Sequence, residues 1–198
     1  MISWRDNFIK KVDDNFVPIK AINETEEMLA HESKEKYIKY YCDSGSCQGW
    51  GVLSILYKPK VIVEFGTGNG IRTNLLAILN PEAIIYTVDN NDKSGYADAA
   101  TGFMAAHNEN VIIILSDTSD FKLENVDMCF IDADHTEEGV WKDSHIAWEA
   151  KNVKENWCIV WDDYSLKGVK AGVDRFIGKV KCKLSTVGGL YIIGTKIL

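Results

Sequence analysis

The chain has 198 residues, 46% hydrophobic and 26% charged, with a formal net charge of -7. That length allows one domain with a sizeable core and a short extension, and the composition excludes a disordered chain. The acidic balance excludes a general nucleic-acid binder, which needs basic surface to neutralise phosphates. The five cysteines, Cys42, Cys47, Cys129, Cys158 and Cys182, are odd in number and lack CxxC spacing. They suggest neither a disulfide framework nor a zinc site, and Cys129 and Cys158 lie in apolar runs where core packing is the plain reading. The first residues, MISWRDNFIKK, lack a leader's apolar stretch, and no run reaches the ~20 residues of a membrane span. A reducing, cytoplasmic setting with neither membrane nor nucleic acid as partner is the expectation.

Residues 1–58 read as a helical extension or cap. Trp4, Phe8 and Val12 recur every four positions, as on one side of an amphipathic helix. Asn23 or Thr25 can cap a second helix running through Met28, Leu29 and the run KEKYIKYY, Lys34 to Tyr41. That run reads as a solvated face with its tyrosines turned inward. CDSGSCQG is expected as a loop, and Gln48 to Tyr57 as a third helix.

From Lys60 the rhythm changes to alternating strand and helix. KVIVEFGTGNG, residues 60–70, reads as a buried strand over 60–65 followed by a glycine-rich turn. Gly66, Gly68 and Gly70 let the backbone turn tightly and approach a ligand. A helix over 71–79 stops at Asn80-Pro81. Strands follow at 83–88, 111–115, 126–131 and 157–161. Helices are expected over 95–107, 137–152 with Thr136 as cap, and 169–178. At the end, KCKLSTV, Gly188-Gly189 and LYIIGTKIL read as two strands on a two-residue turn, which forces antiparallel pairing. The fold class is therefore α/β: a Rossmann-like, doubly wound, seven-stranded sheet, mostly parallel with an antiparallel last strand, and helices on both faces. The sheet domain spans 59–198.

Acidic residues stand at or beside nearly every parallel strand end: Glu64, Asp89, Asp117, Asp132, and Asp162 with Asp163. Strand carboxyl ends of a parallel sheet converge on one rim, where open α/β sheets bind ligands. Any one of these side chains can be a helix cap instead. All of them together point to a site.

These residues resemble class I S-adenosylmethionine-dependent methyltransferases. The likeness rests on VIVEFGTGNG, on Asp89 after the second strand and on the reversed last strand LYIIGTK, and covers about 60–198. FIDADHTEEGVWKD followed by WDDY is similar to the small-molecule O-methyltransferase branch of the catechol, caffeoyl-CoA and macrolide-sugar type. The resemblance implies S-adenosylmethionine held by Glu64, Gly66, Thr67, Gly68, Gly70, Asp89 and Asn90, with Ser116 or Asp117 near the adenine. It implies Mg²⁺ on Asp132, Asp162 and Asp163. The residues agree with this on their own terms. The GxGxG spacing departs from the dinucleotide pattern GxGxxG. Glu64 would repel a pyrophosphate but suits the ammonium and sulfonium of S-adenosylmethionine, and Asp89 can accept both ribose hydroxyls.

An alcohol or phenol must lose its proton to attack a methyl group at neutral pH. A divalent cation on the substrate oxygen would promote that loss. Three close carboxylates without a cation would repel one another. His135 stands where the catechol-type enzymes place a lysine, and histidine titrates near neutrality, so His135 and Asp132 are the candidate catalytic pair. Asp143 matches the branch motif but reads as a core-facing hydrogen-bonding group, His145 as a surface residue and His107 as a helix-end residue. Trp50, Trp141, Trp161 and Tyr164 can line an acceptor pocket or pack in the core. The expected activity is O-methylation of a small hydroxylated acceptor. A nicotinamide-dependent oxidoreductase and a non-catalytic S-adenosylmethionine-binding domain are the alternatives. A homo-oligomer is allowed, and its order is not legible.

Overall fold

In the computed structural model, which describes residues 3–15, 33–92, 94 and 99–196, the chain alternates helices with a single sheet. Helices α1 (Trp4–Asn15), α2 (Lys34–Asp43) and α3 (Gly45–Tyr57) precede β1 (Val61–Phe65). Then come α4 (Ile71–Leu79), β2 (Ile84–Asp89), β3 (Val111–Leu115), β4 (Met128–Ile131), α5 (Glu137–Ala150), β5 (Cys158–Trp161), α6 (Lys167–Val180), β6 (Ser185–Val187) and β7 (Leu190–Gly194). The seven strands lie in the order β3-β2-β1-β4-β5-β7-β6. Every pairing is parallel except those of β7, which runs against both β5 and β6 across the Gly188-Gly189 turn.

Strand alternation explains why both faces are covered. Ile62, Ile85, Met128, Phe130, Val160 and Ile192 pack with α1 to α4 on one face. Val63, Phe65, Cys129, Ile131, Ile159 and Trp161 pack with α5 and α6 on the other. Strands buried on both sides are mostly apolar, which is why they were visible in the sequence; Glu64 in β1 and Thr87 in β2 are buried polar exceptions. Phe8 and Val12 of α1 are fully buried in the first core, so the N-terminal helices share the sheet's own core. Among the described residues no helix is long and apolar enough to cross a membrane.

Several expectations need correction. Ser33 caps α2 by accepting the Lys36 N–H at 3.2 Å; Asn23, Thr25, Met28 and Leu29 lie outside the described residues. No loop separates the second and third helices, because Ser44 alone ends α2 and begins α3. Cys47, Trp50, Leu53 and Tyr57 recur at helical spacing and are buried, and that burial outweighs the low helix propensity of Gly45, Gly49 and Gly51. Of the helix expected over 95–107, residues 95–98 lie outside the described residues, and residues 101–107 form successive turns. The Gly102 and Met104 N–H groups donate to the Gly68 and Asn69 carbonyls at 2.9 and 3.0 Å, so helical partners give way to the glycine loop. Helix α6 extends two residues further at each end than expected.

Candidate active site

The strand order reverses between β1 and β4, and there the loop after β1 meets the end of β4. Gly66 has φ of +96°, and a Cβ on it would overlap the Asp132 carbonyl. Only glycine satisfies both demands. Asp89, at the end of β2, accepts the Thr67 and Gly68 N–H groups on Oδ2 at 3.0 Å each and the Asn91 N–H on Oδ1 at 2.9 Å. Its carboxylate therefore shapes the glycine loop as well as facing the cavity.

Glu64 is 2% exposed, on the α1–α4 side of β1. Its Oε2 accepts the Thr73 hydroxyl at 2.5 Å and the Thr87 hydroxyl at 2.6 Å. Since the Thr87 proton goes to Glu64, the Thr67 hydroxyl donates to Thr87 at 2.7 Å, and a buried hydroxyl chain links Glu64 to the loop. Burial pushes the Glu64 carboxyl from its ordinary 4.5 up to about 7, against the lowering effect of both threonines and Arg72.

After β3, Asp117 caps a 3₁₀ turn, Thr118–Asp120, through Ser119 and accepts the Lys142 ammonium at 2.7 Å. Lys142 holds its carboxyl well below the usual range, with the Ser119 bonds assisting. Asp143 accepts the Thr118 hydroxyl at 2.6 Å, the core-facing hydrogen-bonding role expected for it. Burial raises it to about 6 despite that bond.

At the ends of β4 and β5 the acidic rim meets a cation that sequence reasoning missed. One Arg72 guanidinium spans two strands: Nη1 pairs with Asp132 Oδ2, and Nη2 lies 3.1 Å from Asp162 Oδ2. His135 Nε2 lies 3.3 Å from Asp132 Oδ1 and 3.6 Å from Asp163 Oδ2. The ligand-type atoms that gather within 4.8 Å of one another are those of Asp132, His135 and Asp163, not the expected Asp132, Asp162 and Asp163. Asp162 spends Oδ1 on the Asp163 N–H at 2.8 Å and Oδ2 on Arg72. The expected magnesium set therefore does not fit. Two of its three carboxylates already share a positive group, and a divalent ion among them would face that charge directly.

A cavity of about 760 Å³ runs along this rim, within the range of small-ligand pockets. Of the residues expected to bind cofactor, Glu64, Gly66, Thr67, Gly68, Asp89, Asn90 and Asp117 line it. Gly70 and Ser116 are not on its wall: Gly70 (φ +84°) packs on Gly102, and Ser116 donates to the Asp117 carbonyl at 3.2 Å. Asp132 lines the cavity, while His135, Asp162 and Asp163 stand beside it. Its wall also includes Tyr40, Tyr41, Ser44, Ser46, Cys47 and Arg72. Tyr41 is fixed there by donating to the Ile71 carbonyl at 2.5 Å. None of the four other aromatic candidates lines the cavity. Trp50 stacks on Phe130 at 3.7 Å, and Trp161 donates to Ser144 at 2.9 Å. Tyr164 stacks on Tyr191 at 3.8 Å, and Trp141 lies under Arg175.

A glycine loop at the β1–β4 switch point, a carboxylate at the end of β2 and a reversed β7 define an α/β enzyme that holds a nucleoside-bearing cofactor. The chain belongs to the methyltransferase domain family, whose model matches residues 63–164, and is an S-adenosylmethionine-dependent methyltransferase of class I. That membership sets aside the oxidoreductase alternative. Solved structures agree on the fold. The O-methyltransferase from Bacillus cereus, in complex with SAH, has TM-score 0.57 at 17% identity, covering 93% of this chain and 94% of its own. The O-methyltransferase TomG from Streptomyces achromogenes, involved in tomaymycin synthesis, has TM-score 0.55 at 14% identity, covering 98% and 89%. A caffeoyl-CoA O-methyltransferase candidate from Staphylococcus aureus has TM-score 0.54 at 19% identity, covering 72% and 78%. A comparison with curated protein sequences gives no match.

Proposed function

We propose that the enzyme methylates a hydroxyl oxygen on a small acceptor, with S-adenosylmethionine seated over the β1 loop. One observation carries this reading: a continuous cavity joins Glu64 and Asp89 to Asp132 and the tyrosine-lined wall of α2 and α3. The cofactor supplies an electrophilic sulfonium methyl when bound. Asp89 takes the ribose hydroxyls, Glu64 the methionine ammonium, and the rim beside Asp117 the adenine. Helices α2 and α3 act as the cap over the acceptor, through Tyr40, Tyr41, Ser44, Ser46 and Cys47.

His135 is the general base. Its Nε2 faces two carboxylates and so carries its proton toward them, which leaves Nδ1 as the nitrogen able to take the acceptor's. Asp132 orients the ring and stabilises the imidazolium that forms, the role a carboxylate plays behind a catalytic histidine. The O-methyltransferases from Bacillus cereus and Streptomyces achromogenes among the structural neighbours support the choice of oxygen.

Calorimetry with S-adenosylmethionine, followed by a methyl-transfer assay across phenols, sugars and hydroxylated acids, tests the proposal. The expected result is saturable cofactor binding and turnover of at least one hydroxylated acceptor, lost in His135→Ala. Absence of binding at millimolar cofactor refutes the site. Binding without turnover across the panel refutes the assigned reaction and leaves a binding domain.

A further inference from the structure

We propose that Arg72 is a resident counter-cation that takes the place of a divalent metal at the acceptor end, so that this enzyme works without one. The rim needs positive charge. Asp132, Asp162 and Asp163 come from two adjacent strand ends, paired in register through Ile131 and Trp161, and close carboxylates oppose one another's ionisation unless a cation lies among them. Arg72 meets that need with one planar fork, Nη1 to Asp132 and Nη2 to Asp162. A guanidinium carries its charge at every relevant pH and matches two carboxylates by geometry.

Its position is informative. Arg72 is the second residue of α4, directly after the glycine loop. A cation in the first turn of a helix is disfavoured by the helix dipole. The two carboxylates offset that penalty. Arg72 also lines the cavity, as Asp132 does. With Oδ2 held by Arg72, Asp132 presents Oδ1 to His135. Arg72 is thus a positioning residue: it acts on the acceptor's proton only through Asp132 and His135. It also ties the cofactor loop to the acid-base pair, because displacing the start of α4 displaces the guanidinium.

The proposal rests on Asp132 and His135 as the acceptor-activating pair, but its test does not require turnover. Mn²⁺ is titrated into the full chain, with and without S-adenosylmethionine, and free Mn²⁺ is read by electron paramagnetic resonance. Wild type is expected to show no saturable binding up to ~1 mM, and R72Q at least about 10-fold tighter binding, since a unit charge is removed beside the carboxylates. R72K keeps the charge and is expected to behave as wild type, which separates charge from shape. In parallel, a chelator leaves wild-type methyl transfer unchanged. Micromolar Mn²⁺ binding by wild type, through Asp132, His135 and Asp163 or otherwise, overturns the proposal. So does R72Q that folds by circular dichroism yet binds no better than wild type. Should R72Q not fold, the wild-type titration decides alone. Failure of the functional reading shows instead as absent S-adenosylmethionine binding in calorimetry.

Discussion

Replacing Glu64 with Gln should stabilise the cofactor-free protein in alkaline solution and leave it almost unchanged in acid. The carboxyl is 2% exposed, and burial raises it from 4.5 to about 7. An unfolded chain loses this proton near 4.5, whereas the folded chain keeps it until about 7. The folded state therefore binds more protons across that window, and stability falls as pH rises through it. Below the window there is no penalty. Above it, the ionised carboxylate costs roughly 3 kcal/mol, as an order of magnitude. Glu64→Gln keeps an oxygen to accept the Thr73 and Thr87 hydroxyls and cannot ionise. Without cofactor, the variant should melt about 6–12 °C above wild type at pH 8 and close to wild type near pH 4.5, by scanning calorimetry. An equal difference at both pH values would refute the reasoning. Cofactor reverses the preference. If the methionine ammonium pairs with Glu64, binding at pH 6 draws the carboxyl into its ionised form and releases close to one proton. Titration calorimetry in buffers of different ionisation enthalpy counts that proton. Glu64→Gln should release none and bind more weakly, and zero release by wild type would remove the ammonium from Glu64.

Other substitutions test separate parts of the site. Asp89→Ala removes the ribose acceptor and the partner of two loop N–H groups, and should weaken S-adenosylmethionine by about 100-fold in calorimetry; a loss under about threefold would count against its role. Gly66→Ala forces a side chain into a positive-φ position against the Asp132 carbonyl. It should cost at least about 2 kcal/mol of stability and abolish cofactor binding, with thermal melting and calorimetry as the two readouts. Asp127→Ala strips the partner from the Lys60 and Val61 N–H groups and from Asn152. It should destabilise by about 3 kcal/mol in urea unfolding, although Asp127 stands outside the cavity; an unchanged midpoint would mean that the start of β1 is held by other contacts.

Most of the sheet was legible because its signal is local. A doubly covered strand must be apolar, a helix must bury one face, and a Gly-Gly pair between β-branched runs must reverse the chain. The glycine turn after β1 was legible for the same reason: Gly66 and Asp89 sit at positions that backbone geometry dictates. The illegible parts were those settled by distant partners. Nothing near residues 101–107 announces that Gly102 and Met104 will donate to Gly68 and Asn69 rather than to their own helix. The α2–α3 junction reads as loop, since glycine and serine are poor helix formers, yet the buried Cys47, Trp50 and Leu53 carry the helix through it. The run Lys34 to Tyr41 reads with its tyrosines turned inward, and Tyr37 and Tyr41 are buried, but nothing local says that Tyr40 and Tyr41 line the cavity.

Arg72 shows the same limit most sharply. Acidic strand ends can be counted along the chain, and their repulsion argues for a cation, but counting does not say which cation. A metal is the obvious candidate when carboxylates are the only visible members. The arginine that answers them lies 60 residues before Asp132 and 90 before Asp162 in the sequence, at a helix start where the dipole disfavours it. Charge balance in a parallel sheet is thus settled across the switch point, by the helix following β1 acting on the ends of β4 and β5. That placement has a functional consequence. A metal ion can leave the site independently of the methyl donor, whereas Arg72 cannot leave α4, and α4 begins where the cofactor loop ends. On the proposed mechanism, acceptor activation is tied to the conformation of the loop, and any substitution that shifts Gly66–Gly70 should be felt at His135 even where no contact joins them.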